Sequence, residues 1–257
     1  MNILAKKENK LFLILGGFFI ANALIAEFIG VKIFSLEDTL GLEPLKYVLF
    51  GEEMSFNLTA GVVLWPVVFI MTDIINEYYG TRGVKFLSYL TVGLIIFAFA
   101  MVYAAIHLTP AAWWVTSAAD AGVPNFQLAF AQIFGQGLWI ILGSLIAFLI
   151  GQLLDVAVFH KLKSITGESK IWLRATGSTL VSQFIDSFVV LIIAFKLGAD
   201  WSWALVLAVG FNNYFYKFFV AVVLTPVIYL AHSLIDRYLG KELADKMKNE
   251  ASESRQV

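Results

Sequence analysis

The sequence predicts an all-α integral membrane protein with six transmembrane helices, and three observations predict it. Of 257 residues 60% are apolar and only 14% charged, whereas a soluble domain is about 45–50% apolar and about 25% charged. The mean hydropathy is +0.80. The apolar residues fall into runs long enough to cross a bilayer, which takes about 20 helical residues for roughly 30 Å of hydrocarbon. Lipid offers the backbone no partners, so an open sheet would leave N–H and C=O groups unpaired and helix is the expected form.

The first span, 11–31, carries one charge, Glu27. Lys6, Lys7 and Lys10 ahead of it and Ala21-Asn22-Ala23 within it imitate a cleavable signal, but the apolar run continues to Val31, so the segment reads as retained. The second span, 54–77, closes on Asp73, Asn76 and Glu77, with Tyr78-Tyr79 as an interfacial belt and Gly80 as cap. The third, 86–106, is uncharged, and Pro110 to Trp114 follow as an interfacial turn. The fourth is placed at 128–152, the fifth at 175–195 around Asp186, and the sixth at 203–233 around Lys217, kinked at Thr225-Pro226. Residues 241–257 read as a polar cytoplasmic tail, frayed beyond the last span. Residues 1–257 form a single membrane domain in this reading.

Orientation follows from Lys and Arg. Fourteen of the 18 lie in the N-terminus, the second-to-third and fourth-to-fifth connections (Lys163 among them) and the tail, against three on the opposite side. Both termini are therefore expected in the cytoplasm of a multi-pass inner-membrane protein, with the acidic residues Glu37 to Glu53 in an outer loop.

Composition also excludes functions. With no cysteine there is no zinc–thiolate site, iron–sulfur cluster or cysteine nucleophile. A net charge of −1 gives no reason to expect a nucleic-acid partner. No P-loop, HExxH, GxSG or GxGD string occurs, so no metal, no cofactor and no enzyme activity are expected.

Ionisable and amide groups inside spans are costly and mark function by default. They are Glu27, Asp73, Asn76, Glu77, Gln132, Gln136, Gln152, Gln183, Asp186, Asn213 and Lys217, with Asp155 at the end of the fourth span. Asp73, Asn76 and Glu77 share one helix face; Thr179, Gln183 and Asp186 make a stripe on another. Asn213 lies one turn from Lys217, and Asp186 and Lys217 sit at similar depth on neighbouring spans, where they are expected to pair. Each set has a plainer reading as a helix end, a packing contact or a structural ion pair. Amides and carboxylates converging at mid-depth suit a small-molecule carrier within the lipid bilayer. An intramembrane protease is the enzymatic alternative.

The tracts Thr72-Asp73-Ile74-Ile75-Asn76-Glu77-Tyr78-Tyr79-Gly80, Gly151-Gln152-Leu153-Leu154-Asp155 and Ser178-Thr179-Leu180 to Asp186, with Tyr214-Phe215-Tyr216-Lys217, resemble the family of queuosine-precursor transporters, formerly grouped as vitamin-uptake transporters. The resemblance covers nearly the whole chain. It implies six helices similar to the substrate-binding component of energy-coupling-factor transporters, and import of 7-deazaguanines such as preQ0 and preQ1. Asp73, Gln152, Asp155, Asp186 and Lys217 match its pattern, and the partner it implies is a deazapurine-like small molecule. A binding component for another vitamin or purine-like solute, served by a separate energising module, is the alternative within that resemblance. Self-association into a homo-oligomer is left open.

Overall fold

The computed structural model describes residues 6–166 and 171–253. Lys170 and Arg255, counted in the charge bias, and the last four residues of the expected tail lie outside that description. The long helices are α1 (Lys7–Ile29), α3 (Trp65–His107), α6 (Leu138–Thr166), α7 (Ile171–Leu191, continued as a π-helical turn to Leu197) and α8 (Trp203–Leu239). Among the described residues, five helices are long and apolar enough to cross a membrane. Large apolar side chains such as Phe18, Phe97 and Phe219 point outward, while carboxylates, amides and hydroxyls share the interior with an apolar core around Phe19, Ile75 and Phe148. That is the distribution a lipid-solvated bundle requires.

The second expected span needs correction at its start, because Asn57–Thr59 is a strand and Ala60–Val63 a 3-10 turn; its remainder, from Trp65, and the whole third span lie in α3, which is not one straight rod. Gly80 has φ 67° and ψ −174°, a conformation open to glycine and strained for any other residue. Just ahead of α3, Gly61 abuts the backbone of Ala26 and Gly30. The leg before Gly80 ends where Tyr79 Oη donates to the Glu8 carbonyl at 2.7 Å. The leg after it starts with Phe86 near Phe12, 6.5 Å between centroids, and returns to bring Phe99 to 5.3 Å from Phe28. The two legs thus run in opposite directions along α1. The turn is made at Gly80, not by a loop through Arg82 and Lys85 as the sequence suggested.

The fourth expected span needs correction at its start. Residues 126–134 form a separate short helix, α5 (Phe126–Phe134), and Gly135-Gln136-Gly137 breaks the chain before α6 begins at Leu138. α6 then runs to Thr166, beyond the expected end at 152, so Lys163 lies on a helix and is buried. α8 passes through Pro226 without a break in helical structure. The tail is also corrected: Lys241–Glu253 is a helix, α9, with Ala244, Met247 and Ala251 buried and Lys248 Nζ 2.9 Å from Asp236. Its small buried residues at helical spacing supply the apolar stripe that composition alone concealed. α9 packs against α3, and Lys7 Nζ donates to the Tyr238 carbonyl at 2.9 Å, so the N-terminus and the end of α8 share one face, the terminal face.

On the opposite face the connection after α1 is ordered as β1 (Ile33–Ser35), α2 (Leu36–Thr39), β2 (Tyr47–Leu49), β3 (Glu52–Met54) and β4 (Asn57–Thr59). β1 pairs antiparallel with β4, and β2 with β3, Tyr47 opposite Met54. Phe50 (φ 53°) and Gly51 (φ 86°) form the two-residue turn of the β2–β3 hairpin, both in the left-handed region that such tight hairpins need. A further short helix, α4 (Ala112–Val115), lies in the second connection on this hairpin face, where Trp114 stacks near Phe126 and Phe130.

Candidate functional site

The interior polar groups form a column that runs from the hairpin face to the terminal face between α1, α3, α6, α7 and α8. At its hairpin end Glu27, 6% exposed, accepts from Ser144 Oγ at 2.9 Å, and its main-chain carbonyl accepts from Gln136 Nε2 at 2.9 Å. The glycines on either side of Gln136 break the helix there and free its amide to reach α1. Gln132 is exposed on α5 and does not join the column.

One level deeper lies the ion pair the sequence anticipated. Lys217 Nζ on α8 stands 2.5 Å from Asp186 Oδ2 on α7, both side chains largely buried. Gly151 on α6 makes room for this pair: a Cβ there would lie 3.2 Å from Phe69 Cζ and 3.5 Å from Asp186 Cβ. Gln183, one turn from Asp186, is 1% exposed, and neither its Oε1 nor its Nε2 has a partner among the described residues. Asn213, one turn from Lys217, is half-buried. Beside them Phe184, Phe188, Phe211 and Tyr214 form an aromatic lattice, with the Phe184 and Tyr214 rings 5.1 Å apart and edge-to-face.

At the next level Thr72 Oγ1 donates to Gln152 Oε1 at 2.6 Å, which leaves Gln152 Nε2 without a partner among the described residues. Asp73 accepts from Ser178 and Thr179, each at 3.1 Å, and Asp155 accepts from Ser182 at 3.0 Å. Thr179 and Ser182 lie one turn apart on α7, so the two carboxyl groups are held side by side. Asn76, one turn from Asp73, is 1% exposed with both amide atoms unpartnered among the described residues. At the terminal end Glu77 faces Lys163 at 3.4 Å, Thr81 meets His160 at 2.6 Å, and Tyr78 donates to Asp236 at 2.8 Å.

Glu27, Asp73, Asn76, Glu77, Gln136, Gln152, Gln183, Asp186, Asn213 and Lys217 are therefore brought to one column, and Gln132 is not. Sequence reasoning underrated Asp155 and missed Lys163 as the counter-ion of Glu77. The signal was present: Gln152, Asp155, Phe159, His160 and Lys163 recur every one to four residues on the buried face of α6. It also missed the β2–β3 hairpin. Tyr47 Oη donates to Asn212 Oδ1 at 2.5 Å, Asn212 Nδ2 donates to the Ser55 carbonyl at 3.0 Å, and the Phe50 ring lies 5.6 Å from Phe211. The hairpin thus sits on α8 over the aromatic lattice.

Chemically, the column offers unpaired amides for directional hydrogen bonds, a lysine–carboxylate pair and flat aromatic faces. A cavity of about 720 Å³ lies elsewhere, between the second leg of α3, α5 and the start of α6. It is lined mainly by apolar groups such as Phe99, Ile106 and Ile141, and it shares Gln136 with the column. No group of three or more His, Cys, Asp or Glu suited to a metal ion occurs among the described residues.

Comparison with known proteins agrees with a carrier. The family model described as "Putative vitamin uptake transporter" matches residues 59–231. A Bacillus subtilis protein named "Probable queuosine precursor transporter" is 31% identical over 195 residues, covering 74% of this chain and 79% of the relative. A Haemophilus influenzae protein of the same name is 26% identical, covering 70% and 71%, and the Escherichia coli "Queuosine precursor transporter" is 26% identical, covering 75% and 79%. No solved structure matches the chain.

Proposed function

The chain belongs to the vitamin uptake transporter family, a family of membrane carriers and not of enzymes, and on that premise we propose that it imports 7-deazaguanine precursors of queuosine such as preQ0 and preQ1. The relatives' names supply the substrate class. In this reading both termini are cytoplasmic, the chain crosses the inner membrane six times with each α3 leg counted as a crossing, and the column is the substrate path.

The observation that carries the substrate site is the set of buried amides without a partner among the described residues beside the Asp186–Lys217 pair, namely Gln152 Nε2 and both ends of Gln183. A guanine edge presents adjacent N–H donors, which a carboxylate accepts in parallel, and a carbonyl oxygen, which an amide or lysine donates to. Gln152, Gln183, Asp186, Asn213 and Lys217 form the recognition set, and Phe184, Phe211 and Tyr214 the stacking surface. Glu27 and Gln136 guard the hairpin side, and Asp73, Asn76 and Glu77 form the floor toward the terminal face.

Thermal stabilisation of the purified chain by a panel of deazapurines, purines and vitamins tests this. A 7-deazaguanine should stabilise it, and the analogue without the exocyclic amine should bind about 5–150-fold more weakly, because a buried acceptor left without its donor costs about 1–3 kcal/mol. Equal binding of both would refute edge recognition; a response to a vitamin alone would replace the substrate while keeping the carrier.

A further inference from the structure

Asp73 and Asp155 are 1% and 0% exposed, come from different helices, and are held side by side by hydroxyls on adjacent turns of α7. Ser178 and Thr179 donate to Asp73, and Ser182 donates to Asp155. Asp155 Oδ2, with atomic exposure under 1 Å², has no donor among the described residues. One turn along the same face of α3, the Asn76 amide is buried and likewise unpartnered. The charged groups around this level are committed elsewhere. Lys217 on α8 pairs with Asp186 on α7, and Lys163 on α6 pairs with Glu77 on α3. His160 on α6 meets Thr81.

An ionised carboxylate only accepts hydrogen bonds, so two of them buried side by side call for a proton between them. With one proton the pair forms a short, charge-assisted O–H···O⁻ bond and titrates as a unit. We propose that Asp73 and Asp155 are a proton-binding site and that the proton they share is a co-substrate of uptake. The inference rests on the carrier reading above. A proton reaches the pair from the hairpin side and takes its net charge from −2 to −1; the O–H bond breaks again when the pair opens to water on the terminal side. No other bond is made or broken.

The link to the cargo is α7. Ser178, Thr179 and Ser182 hold the pair, and Gln183 and Asp186 on the next turns of the same helix lie in the recognition set. Protonation draws α3 and α6 together against α7. Loss of the proton leaves two buried anions held by hydroxyls, and their repulsion parts α3 from α6.

The test reconstitutes the full chain in proteoliposomes with radiolabelled preQ0, a neutral nitrile, as probe, and a pH dye in the lumen. The wild type should acidify the lumen as the probe enters, with about one proton per probe molecule. An inward gradient of one pH unit should raise accumulation about tenfold, the equivalent of one proton per cycle, and a protonophore should abolish the gain. Asp155→Asn should bring the proton-to-probe ratio close to zero, a readout that a merely structural loss of flux leaves unchanged, and Asp155→Glu should restore it. Independently of any probe, infrared spectra of the purified wild type at neutral pH should show a protonated-carboxyl band that Asp155→Asn diminishes. Uptake by the wild type that ignores the gradient and the protonophore, or the same infrared band in both proteins, would overturn the coupling. Failure of the wild type to bind any 7-deazaguanine would instead overturn the substrate reading, and the infrared comparison would then decide the proton site by itself.

Discussion

Breaking the Asp186–Lys217 pair from one side should damage the protein more than removing both charges. Unit charges 4 Å apart attract by about 4 kcal/mol at an effective permittivity of 20, and the N–O contact here is 2.5 Å with both side chains at least 87% buried. Removing one partner of such a pair costs about 3–5 kcal/mol, because the other charge is left in a site that cannot solvate it. Asp186→Asn and Lys217→Met should therefore each lower the melting temperature of the detergent-purified protein by about 6–20 °C, at about 2–4 °C per kcal/mol for a chain of this size. The double variant leaves no unpaired charge and should lose only about 1–3 kcal/mol, so the coupling across the cycle is at least about 3 kcal/mol. Thermal unfolding followed by circular dichroism reads all four proteins. Additive losses would refute the pairing. Transport separates the roles further: in the recognition-site reading the double variant regains stability but not uptake, whereas a purely structural pair would give both back.

Three further outcomes are expected. A cysteine introduced at exposed Ser164 should react with an impermeant thiol reagent only after cells are opened, and one at exposed Val48 should react in intact cells, against a background that contains no native cysteine; the reverse pattern would invert the topology. Gly80→Ala forces a side chain into φ 67°, ψ −174°, so it should cost about 1–3 kcal/mol of unfolding free energy, and unchanged thermal stability would refute the fold-back of α3 at that residue. Tyr47→Phe removes the 2.5 Å bond to Asn212, so it should cost about 0.5–1.5 kcal/mol and speed amide exchange across residues 47–54, while unchanged exchange would show that the hairpin is held by Phe50 packing alone.

Much of the fold was legible because lipid simplifies the rules. In hydrocarbon each backbone group must bond within its own segment, so long uncharged runs become helices whatever surrounds them. That is why α1, α7 and α8 fall where the apolar runs fall, and why Glu27, Asp73, Asp186 and Lys217 announce themselves as buried polar exceptions. The Asp186–Lys217 contact was also within reach, since a short connection makes their helices antiparallel neighbours at similar depth.

Boundaries and partners were decided by the tertiary structure. Gly80 and Gly135-Gln136-Gly137 look alike as glycine-bearing stretches, yet the first reverses the chain because α1 receives both legs, and the second releases Gln136 toward the Glu27 carbonyl. The polar sequence of α9 folds because α3 covers Ala244, Met247 and Ala251. Asp73 seemed matched to its own-face neighbour Glu77, but rotation and depth of α6 and α7 turn Asp155, Ser178 and Thr179 toward Asp73 and leave Glu77 to Lys163. Residue spacing fixes which side chains share a face of one helix. Which faces meet depends on how five long helices pack, and in a lipid-solvated interior that packing is set by close contacts such as Gly151 against Phe69 and Asp186 rather than by any pattern along a single segment.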